Sequence, residues 1–599
     1  MFYLLKKRIV IVCVIISVLF FGLLIRIAFL QFVSAGDLSE AAFRQRIANN
    51  SIESLRGNIL DKNLIPFTNR TEKYIAFIIP AFIPESAEEQ EKVCSSLGIS
   101  LDNLKELKSK KEPVMLEVDR WRSEAIASME PEWVSIIHSL ERYDSGTLAK
   151  HVVGYISQKD RVGQAGIEKS YEETLKNNQI IEIGSIIDAA RNPIKGLGYR
   201  IKAWNTDESL NVRLTLDYHI QKIVEEVMDK NNMSGAVVVE DVATGDILAM
   251  ASKPDYDPDS VAKYLNSLNN ELYNKATAAY NLGSVFKIID VAALYEDKEL
   301  DQESVFEINE KTKSTFDTNE KADDSLITNY SSLTDILSGA YQDTDMLSGK
   351  QGTDKYYCGG YTEINGIVFK CSSYLQGGHG LLNLKDAFAQ SCNSYFIELG
   401  QKIGYVNLIN MAKEFGLGQE TGIEAQGVAE AVGRIPKAGN YSKADIANLS
   451  IGQGVLLATP LQVADIVAVV ANGGIKNKIN IVDSIVDDNG TVVKRVRADE
   501  GKRIISSDTA QKIRMLMEAV TEYGTATDAG RDYYGGAGGK TGSAETGIDG
   551  AVHAWFAGYF PKNDPRYSIA VFAENGRNGG KAAAPIFAEI ATRMKDKGY

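Results

Sequence analysis

The stretch Asn281-Leu282-Gly283-Ser284-Val285-Phe286-Lys287, running on into Ile288-Ile289-Asp290-Val291-Ala292-Ala293-Leu294, decides how the chain is read. The apolar run after Lys287 has the length and composition of a buried helix. A helix starting near Ser284 places Ser284 and Lys287, three residues apart, on one face beside the unpaired N–H groups of the first turn. A serine so placed is a candidate nucleophile, and a desolvated lysine is its candidate base. Taken alone the pattern is common, since Ser260-Val261-Ala262-Lys263 fits it too.

Two further motifs lie downstream. Ser391-Cys392-Asn393 follows Ser284 by 391 − 284 = 107 residues, and Lys540-Thr541-Gly542-Ser543 follows Ser391 by 540 − 391 = 149. The second is weak by itself, because Ser209-Leu210-Asn211 and Ser267-Leu268-Asn269 match it; the third occurs once. Its glycine-rich approach, Gly538-Gly539, invites a phosphate-loop reading. That loop needs a glycine where Tyr534 stands and a helix after the Lys-Thr pair, and neither is present.

Around these motifs the sequence predicts one α/β domain. It opens at Gly235 with a hairpin of two buried strands, Ala236 to Val242 and Ile247 to Ser252. It closes with strands at Ala554 to Phe560 and Tyr567 to Glu574 and a helix over about Ala583 to Lys595. Strands at both ends with helical sequence between predict a sheet assembled from distant segments. Within it, Asp301 to Asp345 holds 11 acidic residues against Lys311, Lys313, Lys321 and Lys350, a net of −7 and half of the chain's −14. That composition predicts a solvated insertion over about 300–350.

Residues 36–232 read as a separate, mixed region, helical around Glu88 to Lys111 and strand-like at Tyr74 to Phe82 and Asn211 to Leu216. Its fixed points, Arg56 to Asp61 and Gly163 to Glu168, set glycine beside charge and predict tight turns locked by ion pairs. Before it, Lys6, Lys7 and Arg8 precede the apolar run Ile9 to Ile25, which Ile27 to Phe32 extends past Arg26. A helix over 9–32 spans a bilayer core, and the basic flank keeps residues 1–8 in the cytoplasm and the rest outside. A cleaved signal peptide, cut after Val33-Ser34-Ala35, is the alternative.

With 65 basic and 79 acidic residues among 599, no global positive field attracts nucleic acid. Five cysteines and five histidines are scattered with no C-x-x-C or H-E-x-x-H, so no metal site is expected, although Cys358 and Cys371 are close enough to pair outside a cell.

In order and spacing the three motifs together resemble those of the penicillin-recognising acyltransferases. The whole chain resembles a class B penicillin-binding protein, a membrane-anchored peptidoglycan D,D-transpeptidase. Ala243 to Met250, Ser450 to Gly454, Thr459 to Gln462 and His553 to Tyr559 support the likeness, and Arg56 to Asp61 and Gly163 to Glu168 are similar to the family's pedestal motifs. The resemblance implies a pedestal or dimerisation-type domain over 36–232 and a transpeptidase domain of the penicillin-binding, serine β-lactamase-like fold over 235–599. It implies Ser284 as nucleophile, Lys287 as base and Ser391 as proton relay. Asn393, Lys540, Thr541, Gly542 and Ser543 would bind substrate, with the Ser284 and Ser543 N–H groups as oxyanion hole. It further implies stem-peptide substrates, acylation by β-lactams, a polytopic glycosyltransferase partner and no cofactor. Two features depart from the family pattern: Leu282 stands where proline is usual, and the Ser284 to Ser391 gap is wide. A D,D-carboxypeptidase or a catalytically slack scaffold of the cell-wall machinery are the alternatives.

Overall fold

The computed structural model describes residues 2–32, 51–110, 113–129, 133–176, 179–185, 199–205, 210–298, 300, 356–437, 439, 441–498, 500–546 and 550–599. The acidic stretch 301–350 and the cleavage-site residues 33–35 lie outside them. Phe2–Phe32 is one helix. Among the described residues it is the one helix long and apolar enough to cross a membrane.

The described chain divides into two compact units. The first holds 1–57, 69–144 and 176–209, the second 58–68, 145–175 and 210–599. The linear boundary expected near residue 232 is therefore not the boundary of either unit. The reason is pairing at long range. Strand Leu210–Leu214 lies antiparallel to Val482–Asp487 and parallel to Ile59–Leu60 within a four-stranded sheet.

In the first unit, Thr71–Ile78 is the middle strand of an antiparallel sheet between Val114–Val118 and Val134–Glu141. Its core gathers Ile78, Leu97, Leu104, Ile126 and Trp133. The single helix expected over 88–111 is two, Ala87–Leu97 and Leu101–Ser109. Gly98 at φ +69° ends the first in the left-handed conformation, and the Ser100 side chain caps the second by accepting from Asn103 N.

The second unit is built on a five-stranded antiparallel sheet. Its strands are β1 (Gly235–Asp241), β2 (Ile247–Lys253), β3 (Gly538–Glu545), β4 (Val552–Phe560) and β5 (Tyr567–Ala573), in the order β2-β1-β5-β4-β3. The packing helices are α1 (Tyr218–Lys230), α2 (Lys287–Glu296), α3 (Leu384–Ala389), α4 (Asn393–Ile403), α5 (Pro460–Ala471), α6 (Ser507–Glu522) and α7 (Ala584–Asp596).

The period-2 alternation of strand side chains shows that helices cover both faces. Phe556 on β4 is paired with Val571 on β5 and packs on Phe587 of α7, ring centroids 4.8 Å apart. Ser568 has the opposite parity, and its hydroxyl donates to Ala464 O of α5 at 2.6 Å. All twelve residues of α5 are buried, so its apolar sequence is core and not membrane. At the sheet edge, Gln221 of α1 clamps β2: its Nε2 donates to Met250 O at 3.0 Å and its Oε1 accepts from Met250 N at 2.8 Å.

The two glycine-bearing turns of the first reading belong to the second unit's inserted pieces or border them. Asp61 is fully buried and accepts from the N–H groups of Asn63, Ile65 and Tyr218 at 2.7, 2.7 and 3.0 Å. A Cβ on Gly163 would lie 2.1 Å from Glu168 O, so that turn closes only on glycine.

Candidate active site

Residues Gly283–Phe286 form a 3-10 turn that leads directly into α2. Gly283 has φ +56°, and a Cβ there would meet Ser543 O of β3 at 2.5 Å, so only glycine lets the Ser284 turn approach the sheet edge. Leu282 takes φ −79°, close to the value a proline ring imposes, so its replacement of proline leaves the turn as the motif requires.

Three groups hold this turn. Gly283 N donates to Gly452 O at 2.9 Å. Trp555 Nε1 of β4 donates to Asn281 O at 2.9 Å. Asn281 Nδ2 donates to Gly454 O at 3.0 Å and Leu456 O at 2.8 Å. Gln453 Nε2 reaches Ser543 O at 3.3 Å, so the loop at 450–454 ties the Ser284 turn to β3.

At the first residue of α2, Lys287 is fully buried. Its ammonium donates to Ser391 O at 2.9 Å, Asn393 Oδ1 at 2.9 Å and Ser391 Oγ at 3.3 Å. From β3, Lys540, also fully buried, donates to Ser391 Oγ at 2.8 Å. The Ser391 hydroxyl therefore stands between two buried amines. Burial lowers Lys287 to about 8. Burial, then the charge of Lys287, holds Lys540 well below the ordinary lysine range.

Ser391 has φ +56°, left-handed for a residue with a Cβ. It turns the chain between α3 and α4, so that its carbonyl and its hydroxyl both reach Lys287; such backbone costs on the order of 1–3 kcal/mol and is held by its surroundings. Thr541 is buried with its Oγ1 2.7 Å from Thr525 Oγ1. Gly542 lies against the Ser284 turn, where a Cβ would meet Leu282 O at 2.7 Å. Ser543 is exposed at the same edge.

All eight residues expected from the sequence are thus in the second unit: Ser284 on the 3-10 turn, Lys287 at the start of α2, Ser391 between α3 and α4, Asn393 at the start of α4, and the other four on β3. The decoy pair separates from them. Lys263 is exposed and donates to Ser260 Oγ at 3.2 Å, away from the three motifs. Two features escaped the sequence reading. Asp290, one turn beyond Lys287, is fully buried with neither carboxylate oxygen hydrogen-bonded, and burial pushes it well above the ordinary carboxylate range. Trp555 was visible only as part of a strand.

The sequence matches the family described as Penicillin binding protein transpeptidase domain over residues 235–338 and 349–592, and the Penicillin-binding Protein dimerisation domain over 51–188. Stage V sporulation protein D of Bacillus subtilis is 26% identical over 98% of this chain and 85% of its own length. Peptidoglycan D,D-transpeptidase MrdA of Acinetobacter baumannii is 25% identical over 95% and 85%. A solved structure described as structural coordination of polymerization and crosslinking by a peptidoglycan synthase complex shares the fold at TM-score 0.67, 22% identity and 97% of both chains. The chain belongs to the class B penicillin-binding proteins.

Proposed function

We propose that this protein cross-links peptidoglycan by serine acyl transfer and that Ser284 is its nucleophile. The observation that carries the reading is the Ser391 hydroxyl, 2.8 Å from Lys540 Nζ and 3.3 Å from Lys287 Nζ, behind the turn that presents Ser284. Two amines lowered by burial around one hydroxyl make a route by which a proton can be taken from one oxygen and given to a nitrogen.

In the acylation step, neutral Lys287 takes the Ser284 proton as Ser284 Oγ bonds to the carbonyl carbon of the penultimate D-Ala of a stem peptide. The N–H groups of Ser284 and Ser543 receive the oxyanion. The C–N bond breaks, the leaving D-Ala amine takes a proton through Ser391 Oγ, and an ester on Ser284 remains. An amine of a second stem then attacks that ester, forms the new amide and returns a proton to Ser284. Lys540 adds positive potential for the donor's terminal carboxylate, which Thr541 and Ser543 hydrogen-bond, while Asn393 holds the substrate amide and Lys287. A β-lactam reacts by the first step, but its amine stays tethered and the acyl-enzyme persists.

The single apolar helix anchors the chain with the N-terminus in the cytoplasm, the catalytic unit outside and a polytopic glycosyltransferase as neighbour in the membrane. Mass spectrometry of the penicillin-treated protein tests the nucleophile: an adduct on the Ser284 peptide is expected, and an adduct on Ser260 or Ser391 would overturn the assignment. Dimeric muropeptide formed from pentapeptide donors by the wild type, and absent from Ser284→Ala, tests the cross-linking.

A further inference from the structure

Residues 356–382 lie beside the active-site corner as two small hairpins: Tyr356–Cys358 paired with Gly380–Leu382, and Tyr361–Ile364 paired with Ile367–Lys370. The segment leaves much of its apolar surface in water, with Leu375 89%, Ile367 51% and Val368 48% exposed. A piece this small with so little core needs a cross-link or a metal to hold its shape.

Its inner side gathers four ligand-type side chains. Cys358, Cys371 and Cys392 are buried, none is in a disulfide, and with His379 they bring four donor atoms within 4.8 Å of one another. Cys371 Sγ lies 3.8 Å from Cys392 Sγ. His379 turns Nδ1 towards the sulfurs, 3.3 Å from Cys371 Sγ and 3.6 Å from Cys358 Sγ, with Ser373 Oγ 3.0 Å away. A tetrahedron with Zn–S bonds of about 2.3 Å has S···S edges of about 3.8 Å, and edges to an imidazole nitrogen slightly shorter. The Cys371–Cys392, His379–Cys371 and His379–Cys358 separations match those edges.

The surroundings favour thiolates over thiols. Asn393 N donates to Cys371 Sγ at 3.3 Å and Tyr395 N to Cys392 Sγ at 3.5 Å, both from the first turn of the eleven-residue helix α4. N–H groups aimed at sulfur and the positive end of a helix both stabilise the charge a metal-bound sulfur carries. Gly378 lets the chain return against Cys358 just before the strand Gly380–Leu382: at φ +106° a Cβ there would lie 2.1 Å from Cys358 O.

We propose that Cys358, Cys371, His379 and Cys392 bind one structural zinc ion. Binding releases the three thiol protons, and no position remains open for catalysis. The site clips the hairpin segment to the middle residue of the Ser391-Cys392-Asn393 motif, and so fixes the left-handed Ser391 and the Asn393 amide that face Lys287. Widely spaced ligands, 13, 8 and 13 residues apart between neighbours, hid the set from motif reading.

The test uses the full-length protein solubilised in detergent and purified without chelator. Elemental analysis is expected to find one equivalent of zinc per chain. Replacement by Co2+ should give the intense ligand-field bands of tetrahedral cobalt together with thiolate charge-transfer absorption. Cys371→Ser and Cys392→Ser should lose the metal, whereas Cys13→Ser and Cys94→Ser, which alter the two remaining cysteines, should keep it. Wild-type protein, kept reduced, that carries less than about a tenth of an equivalent and takes up no cobalt would overturn the proposal, and this measurement needs no variant to fold. So would a disulfide among the three cysteines in protein isolated without reductant, or full metal content in the folded Cys371→Ser variant.

Discussion

At the scale of single residues, the chemistry rests on side chains whose charge is set by burial. If Lys287 works as a base, Lys287→Arg should be nearly as slow in β-lactam acylation as Lys287→Ala, each down roughly 10²–10⁴-fold. Arginine keeps the charge and cannot release it at any accessible pH. Second-order acylation rates, with circular dichroism to confirm folding, check this; substantial activity in the arginine variant would leave Lys287 a merely electrostatic role. Thr541→Val should keep the fold and slow acylation by the equivalent of roughly 1.5–3 kcal/mol, the worth of a hydrogen bond to a carboxylate. Asp290 gives a prediction about stability. Burial raises its carboxyl well above the ordinary range, so between the unfolded and folded pKa values the folded state holds the extra proton. The wild type is therefore favoured below the unfolded value of about 3.9 and loses stability, at about 1.4 kcal/mol per pH unit, as pH rises towards the folded value. Relative to the wild type, Asp290→Asn should gain melting temperature steadily from pH 4 upward. A difference that does not change with pH would mean that Asp290 is ionised in the folded protein.

At the scale of elements, α5 shows how a local signal is confirmed by distant partners. Thr459 and Gln462 form a capping box at its N-terminus, with Pro460 in the first turn. Gln462 Nε2 also donates to Gln419 O at 3.0 Å and Val432 O at 3.1 Å. Thr459→Ala should cost about 1 kcal/mol as a lost cap. Gln462→Ala should cost more, since it also removes the bonds to the Gln419 and Val432 carbonyls, each worth about 0.5–1.5 kcal/mol. Thermal melts of the two variants measure the difference. Elements of this kind were legible in advance wherever the signal is local. The strands expected at 554–560 and 567–574 and the helix at 583–595 are Val552–Phe560, Tyr567–Ala573 and Ala584–Asp596. The helix break at Gly98 was not, because apolar spacing continues across it. The site motifs were legible because their order along the chain is itself a signal. Asp290 was not, because nothing local distinguishes a buried aspartate from a solvated one. The Cys358, Cys371, His379 and Cys392 set was hidden for a related reason, being brought together by hairpins whose pairing no short window contains.

At the scale of the whole molecule, the anchor and the sheet make separate demands. Protease added outside intact cells should degrade the catalytic unit and spare a tag placed before Met1, and the mature chain should begin at its initiating end; a mature chain beginning at Gly36 would establish a cleaved signal instead. The sheet imposes an order in time. β5 lies at its centre, yet it is the last of the five strands to be synthesised: Val239 of β1 faces Ile569, some 330 positions later. Until residues 567–573 are available, β1–β2 and β3–β4 are separate hairpins, each offering an unpaired edge. Contacts of such separation form slowly, and chains waiting for them are prone to aggregate. A stop codon at Asp564 should therefore abolish fluorescent-penicillin labelling and sharply shorten cellular half-life, even though every residue of the three motifs has been made. Ser284 precedes the central strand by some 280 residues, so the turn that carries it is made long before the sheet it packs against can close.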